Sequence, residues 1–322
     1  MARHMPGRAL IEGRADLDTV SVTSWRERRR DYARRLAASP LPYLAPVHLL
    51  IFSVIVVPAG YVIWLSLTSS SYGRAPSFVG LANYITVLGD PYFWRALWNT
   101  VIVVLIVVHV ELLVGLGMAL LFASGLPFRR FLLAAVLAPY AVSEVSTVVI
   151  WRFLFDPDIG PITLALHHLG LPGLDWSVSP AAGLAIVALL SIWLNLPFTF
   201  IILYAARLTV PEQLYEAAKV DGTTRLQRFR HVTLPLLGPA ILVAMLFRYI
   251  IAFRLFSEVW LMTGGGPARS TEVLAVYLYL NAFRFTAFGQ AAATGWLMAV
   301  VSLSLALFYL YLLRRQMTQD AY

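Results

Sequence analysis

Long apolar runs separated by polar segments set the pattern of this chain. A bilayer crossing takes about 20 mainly apolar residues in a helix. Six runs reach that length, at roughly 44–67, 98–123, 131–155, 181–205, 237–262 and 288–313. The pattern predicts an all-α membrane protein of six transmembrane helices, with both termini on the same side. Pro58, Pro139 and Pro197 fall inside runs, where neighbouring helices can satisfy the carbonyls a proline leaves free. The fifth run is long enough to bend or re-enter before Gly264. We divide the chain into a basic tail (1–40), a membrane domain (41–316) and a short C-terminal end (317–322). In the tail, the spacing from Trp25 to Leu36 predicts a short amphipathic helix on the membrane surface.

Between the fourth and fifth runs lies a polar stretch within 207–236, PEQLYEAAKVDGTTRLQRFRHVTLP from Pro211 to Pro235. Pro211 suits a first helical turn, with Glu212 near the positive helix end. Leu214, Tyr215 and Ala218 supply an apolar face. Gly222 has the position of a C-terminal cap, because glycine adopts positive φ without steric cost. A second short helix starts at Thr223 or Thr224 and runs through Leu226, Phe229 and Val232. The expected form is a helix-turn-helix.

Composition agrees with a membrane protein. The chain is 59% hydrophobic and 13% charged, with a mean hydropathy of +0.73, whereas soluble domains carry about 25% charged residues. The net charge of +8 is distributed unevenly. The tail, the 124–130 turn, the 206–236 segment and residues 314–322 hold eighteen of the 25 basic residues, and the opposite loops hold four. That asymmetry sets orientation in a membrane, places both termini and the polar stretch in the cytoplasm, and argues against nucleic acid as a partner. The first apolar run is too long and too far from Met1 for a secretory signal. With no cysteine there is no disulfide, thiolate metal site or cysteine nucleophile. Lys219 is the only lysine and follows Ala218, so a phosphate-binding loop ending in Gly-Lys-Ser/Thr is excluded. His167 and His168 are adjacent in an outer loop without a further ligand set, which reads as a surface pair.

Within the polar stretch, Glu216-Ala217-Ala218, three residues, Gly222, nine residues, then Val232, Thr233 and Leu234-Pro235 resemble the EAA motif of binding-protein-dependent ABC importer permeases. Valine replaces the family's isoleucine at 232. The motif implies a coupling helix that docks on an ATP-binding subunit, through Glu216, Ala217, Ala218, Asp221, Gly222, Arg225, Phe229, Leu234 and Pro235. Trp193 with Leu196-Pro197-Phe198, Leu261-Met262-Thr263-Gly264-Gly265-Gly266-Pro267 with Thr271, and Phe288-Gly289-Gln290-Ala291-Ala292 are similar to carbohydrate-uptake permeases. The resemblance covers roughly 44–315 and is greatest to the maltose- and glycerol-phosphate-type first permease. It implies a bacterial inner-membrane location. It also implies a second permease, two ATP-binding subunits that hold ATP and magnesium, an extracytoplasmic solute-binding protein, and no cofactor on this chain.

Ionisable groups at bilayer depth are costly and therefore informative. Glu111, Glu144, Asn195 and Arg248 lie near the middle of their runs, and Arg254 and Glu258 are spaced for an i,i+4 pair. One reading is a hydrophilic pathway of Glu144, Trp193, Asn195, Arg248, Tyr249 and Phe253, in which aromatics cover sugar rings. The other is that Arg248 neutralises Glu111 or Glu144 inside the bundle. A polyol or glycerol phosphate is the alternative cargo, and an ATP-independent secondary carrier the alternative mechanism.

Overall fold

The computed structural model describes residues 41–319 except 74 and 174. The tail with its expected surface helix lies outside the described residues. The chain divides into two compact units, one ending at Tyr61 and one starting at Val62. In the first, α1 (Leu41–Ile51) runs through a π-helical turn at Phe52–Val56 into α2 (Val57–Ser66). Pro58 has no N–H to offer the carbonyl of Val54, and the π turn covers that position.

The second unit continues from α2 into a small hairpin, β1 (Thr68–Ser69) and β2 (Ser77–Phe78), in which Thr68 pairs with Phe78. There follow α3 (Ala82–Gly89), α4 (Pro91–Ala123), α5 (Arg129–Leu137), α6 (Glu144–Leu154), α7 (Pro161–His168) and α8 (Pro180–Thr209). The chain then forms α9 (Glu212–Val220), α10 (Arg225–Arg228), α11 (Leu234–Ala252), α12 (Ser257–Met262), α13 (Leu274–Tyr279) and α14 (Phe288–Gln319).

Among the described residues, five helices are long and apolar enough to cross a membrane: Pro46–Ser66, Pro91–Ala123, Pro180–Thr209, Arg225–Ala252 and Phe288–Tyr311. A further pair, Arg129–Ala141 with Glu144–Leu154, is bent by 99° and meets the same length and hydropathy test together, which brings the candidate crossings to six when the pair is one span. The third run is therefore not one helix. Pro139 sits in a 3₁₀ turn at Ala138–Ala141, and Ser143 is extended before α6 begins. The fifth run is also divided, ending at Ala252 and resuming as α12. The first departure comes from the proline, whose missing amide hydrogen hydropathy does not register; the second falls at 253–256, where no proline or glycine marks it.

The core of this unit is the α4–α8 pair, the most extensively packed in the molecule. Gly115 makes the approach possible, since a Cβ there would stand 3.2 Å from Thr199 Cγ2. Close packing through small residues is what associates helices in lipid, where burial of apolar surface provides no drive. Phe122, Phe200 and Tyr204 stack nearby, the last two rings 5.3 Å apart. At the other end, the loop before α13 is fastened to α4. Asn99 donates to the carbonyls of Ser270 and Glu272 at 2.8 and 2.9 Å. Arg269 pairs with the buried Glu272 and lies 4.0 Å over the Tyr92 ring. The bond to Glu272 raises the guanidinium pKa above its ordinary value.

Candidate functional site

The polar stretch folds as the helix-turn-helix its sequence predicts. Pro211 stands just before α9 rather than in its first turn. At the other end Gly222 has φ +72°, its N–H donates to the Lys219 carbonyl at 3.0 Å, and Thr223 N–H donates to Ala218 at 3.1 Å. These are the two bonds of a Schellman cap. Thr224 then opens α10 with a capping box to Gln227. One turn later a π turn at Phe229–Thr233 leads directly into α11, over the His231 carbonyl that Pro235 cannot serve. The second helix is thus continuous with the fifth crossing.

The stretch is anchored from below. Tyr215 and Ala218 are buried, the Tyr215 hydroxyl hydrogen-bonds Thr233 at 3.0 Å, and the Arg207 guanidinium lies 4.2 Å over the Tyr215 ring. What remains outside is Glu216, Ala217, Asp221, Gly222 and Arg225, together with Leu214, Val220 and Leu226. Tyr215 thus fastens one side of the stretch and leaves an apolar and charged surface exposed on the other. Of the apolar face read from sequence, Tyr215 and Ala218 are buried and Leu214 is 43% exposed.

The second feature is a cavity of about 460 Å³ where both interrupted crossings meet α8. Its lining includes Tyr140 and Glu144 at the first break, Ser191 and Asn195 on α8, and Arg248, Arg254, Ser257 and Glu258 around the second break. Glu144 opens α6 and Glu258 lies in the first turn of α12, so two short helices bring their carboxyls face to face. Arg248 is neutralised by Glu111, which it grips with two nitrogens, Nη2 to Oε1 at 2.7 Å. Arg254 is exposed and forms no ion pair among the described residues.

Residues 41–318 match the family of binding-protein-dependent transport system inner membrane components. The chain belongs to that family. It is the permease subunit of an ABC importer, a multi-pass protein of the inner membrane and not an enzyme, and the ATPase is a separate subunit. The permease is 36% identical over 314 residues to the sulfoquinovosyl glycerol transport system permease protein SmoG of Agrobacterium fabrum, covering 96% of this chain and 99% of that one. It is 31% identical to the trehalose/maltose transport system permease protein MalF of Thermococcus litoralis, covering 83% and 90%. A bacterial alginate ABC transporter, solved with an alginate pentasaccharide-bound periplasmic protein, shares its fold at a TM-score of 0.70 and 22% identity, over 91% of this chain and 98% of that one.

In the permease, the residues read from sequence separate into groups. Glu144, Asn195 and Arg248 are together in the cavity. Tyr249 and Phe253 are not in its lining. Both are 1% exposed in an apolar cluster with Val104, Val108 and Met245, and the Tyr249 hydroxyl pairs with Tyr309 at 2.7 Å. Trp193 also stands outside the lining, its ring 5.8 Å from Trp151. Arg254 and Glu258 do not form an ion pair, since the chain turns between α11 and α12 and their helical spacing is lost. Ser191 escaped the sequence reading although it lies one turn before Asn195, whose amide donates to its carbonyl at 2.9 Å. Ser257 and Tyr140 carried no sequence signal, because they reach the cavity only through the two breaks.

Proposed function

We propose that this permease forms half of the pathway of an importer for a sugar, whether free or as an oligosaccharide or glycoside. Its 207–236 loop would face the cytoplasm and transmit ATP-driven motion. The observation that carries the cargo half is the cavity lining. Ser191, Asn195, Ser257 and the two carboxyls offer donors and acceptors suited to hydroxyl groups, at the only place where both interrupted crossings converge among the described residues. The relatives over most of its length are named for sulfoquinovosyl glycerol and for trehalose and maltose, which supports the same class.

A glycerol phosphate would call for converging unneutralised arginines. Arg248 is spent on Glu111 and Arg254 shares the cavity with two acids, so a sugar or glycoside fits better than a glycerol phosphate. On the cytoplasmic side, Glu216, Ala217, Asp221, Gly222 and Arg225 would enter a cleft of an ATP-binding subunit, with Phe229, Leu234 and Pro235 holding the following helix in line. ATP and magnesium would be bound there. A second permease would complete the pathway, two ATP-binding subunits would drive it, and an extracytoplasmic solute-binding protein would deliver cargo to the loops 68–97, 156–180 and 263–287. Nucleotide-driven closure would switch the bundle between inward- and outward-facing states.

Proteoliposomes holding the co-expressed assembly and its binding protein test this. ATP-dependent accumulation of a labelled neutral glycoside or disaccharide is the expected result. Uptake of glycerol phosphate with none of any glycoside would move the assignment to the alternative, and uptake without ATP would remove it from importers. Orientation is testable separately because the chain lacks cysteine. An Asp221→Cys variant should react with an impermeant thiol reagent only from the cytoplasmic side.

A further inference from the structure

The turn between the second and third crossings is packed on one side and open on the other. Leu126 and Leu133 pack on the cluster of Leu116, Phe122, Phe200 and Tyr204. Between them, Phe128 is 85% exposed and Phe131 75% exposed, with Arg129 and Arg130 in between, around a groove of about 620 Å³. Neither arginine forms an ion pair among the described residues. Arg129 is held 5.1 Å over the Tyr204 ring, and the buried hydroxyl of that tyrosine has no hydrogen-bond partner among the described residues. A cation pre-positioned by an aromatic, an orphaned hydroxyl beside it and two outward phenyl rings are more than a charge cluster.

We propose that this turn is a docking site for the headgroup of an anionic phospholipid of the inner leaflet. The phosphate would lie between the two guanidinium groups, whose planar forks match phosphate oxygens. The amides that open α5 add a favourable dipole for an anion. Phe128 and Phe131 would rest against the acyl-chain boundary, the depth at which a crossing that ends at Ala123 and another that begins at Arg129 meet the headgroup layer. A soluble anion would have no use for the two exposed rings. The same packed cluster takes in Phe229 of the coupling loop, so an occupied site stiffens the base from which that loop projects. The proposal rests on the cytoplasmic orientation above, which the Asp221→Cys labelling tests independently.

The test uses the assembled importer in nanodiscs of phosphatidylcholine with phosphatidylglycerol, including a photoreactive phosphatidylglycerol as probe. Labelling should fall on the peptide spanning 128–131 and drop about fivefold for each arginine removed in R130Q and R129Q/R130Q, the effect of one basic residue at an anionic surface. Arg130 makes no ion pair to lose, so R130Q serves as the variant whose folding is not in question. R129K, which keeps the charge but not the planar fork over Tyr204, should lose less label than R129Q. Labelling unchanged in both glutamine variants would overturn the proposal. So would competition by inorganic phosphate, or cross-linking of a Phe128→Cys variant to an ATP-binding subunit with equal yield in neutral and anionic discs.

Discussion

Arg248 on α11 and Glu111 on α4 are locked in a two-pronged ion pair, Nη2 to Oε1 at 2.7 Å, with side chains 2% and 0% exposed. The two residues are 137 positions apart in the chain. The pair ties the helix that follows the 207–236 polar stretch to the central helix of the packed core. Of the two readings open from sequence, partner or ligand, the geometry gives Arg248 a protein partner while leaving it at the cavity edge.

Removing one member of such a pair strands a buried charge. Glu111→Gln or Arg248→Met alone should cost about 3–5 kcal/mol and lower the thermal unfolding midpoint of the detergent-solubilised assembly. The double variant Glu111→Leu with Arg248→Met should recover most of that stability. If the double variant also transports, Arg248 is a structural partner. If it is stable but inactive, Arg248 also handles cargo.

Gly222 is the turn on which α9 ends, and at φ +72° a side chain costs about 1–2 kcal/mol. No atom stands within 4 Å of a Cβ there, so the penalty is in the backbone and not in a clash. Gly222→Ala should leave the membrane bundle intact while reducing co-purification of the ATP-binding subunits. Glu216→Lys, on the exposed surface, should uncouple ATP hydrolysis from uptake without altering the unfolding midpoint. Wild-type uptake in Glu216→Lys would count against the coupling role.

Asn195 and Tyr249 should behave differently even though both lie at membrane depth. Asn195→Ala removes a cavity donor and should reduce uptake with assembly and basal ATPase retained. Tyr249→Ala empties a packed position and should destabilise the bundle by about 3–5 kcal/mol. Tyr249→Phe removes the hydroxyl's bonds to Tyr309 and His109 and should cost about 1 kcal/mol, with uptake preserved. Loss of uptake in Tyr249→Phe at normal stability would return Tyr249 to the pathway.

The 263–273 loop offers a contrast. Glu272 is 1% exposed and bonded to Arg269, which is itself stacked on Tyr92. Glu272→Gln should loosen the 263–273 segment and lower the unfolding midpoint, corresponding to about 1.5–3 kcal/mol for a lost charged hydrogen bond. Proteolysis in the loop should accelerate, while Arg269→Lys, which keeps the charge but not the planar stack, should give an intermediate result.

The number and order of the crossings were legible along the chain because a bilayer demands apolar runs of fixed length, and those runs are local. The helix-turn-helix at 211–235 was legible for a similar reason, since Thr224, Gln227 and Gly222 act on neighbours a few residues away. The absence of a phosphate-binding loop followed from a single lysine. What the sequence could not hold was which polar groups meet. Glu111 and Arg248, or Glu144 and Glu258, come together only when α4, α6, α11 and α12 are packed, and no periodicity encodes that. The breaks at 139–143 and 253–256 decided the rest, because hydropathy registers neither the amide hydrogen that Pro139 lacks nor a turn within an apolar run. Those breaks place Glu144 and Ser257 in the cavity and fold Tyr249 and Phe253 into the apolar cluster beside it.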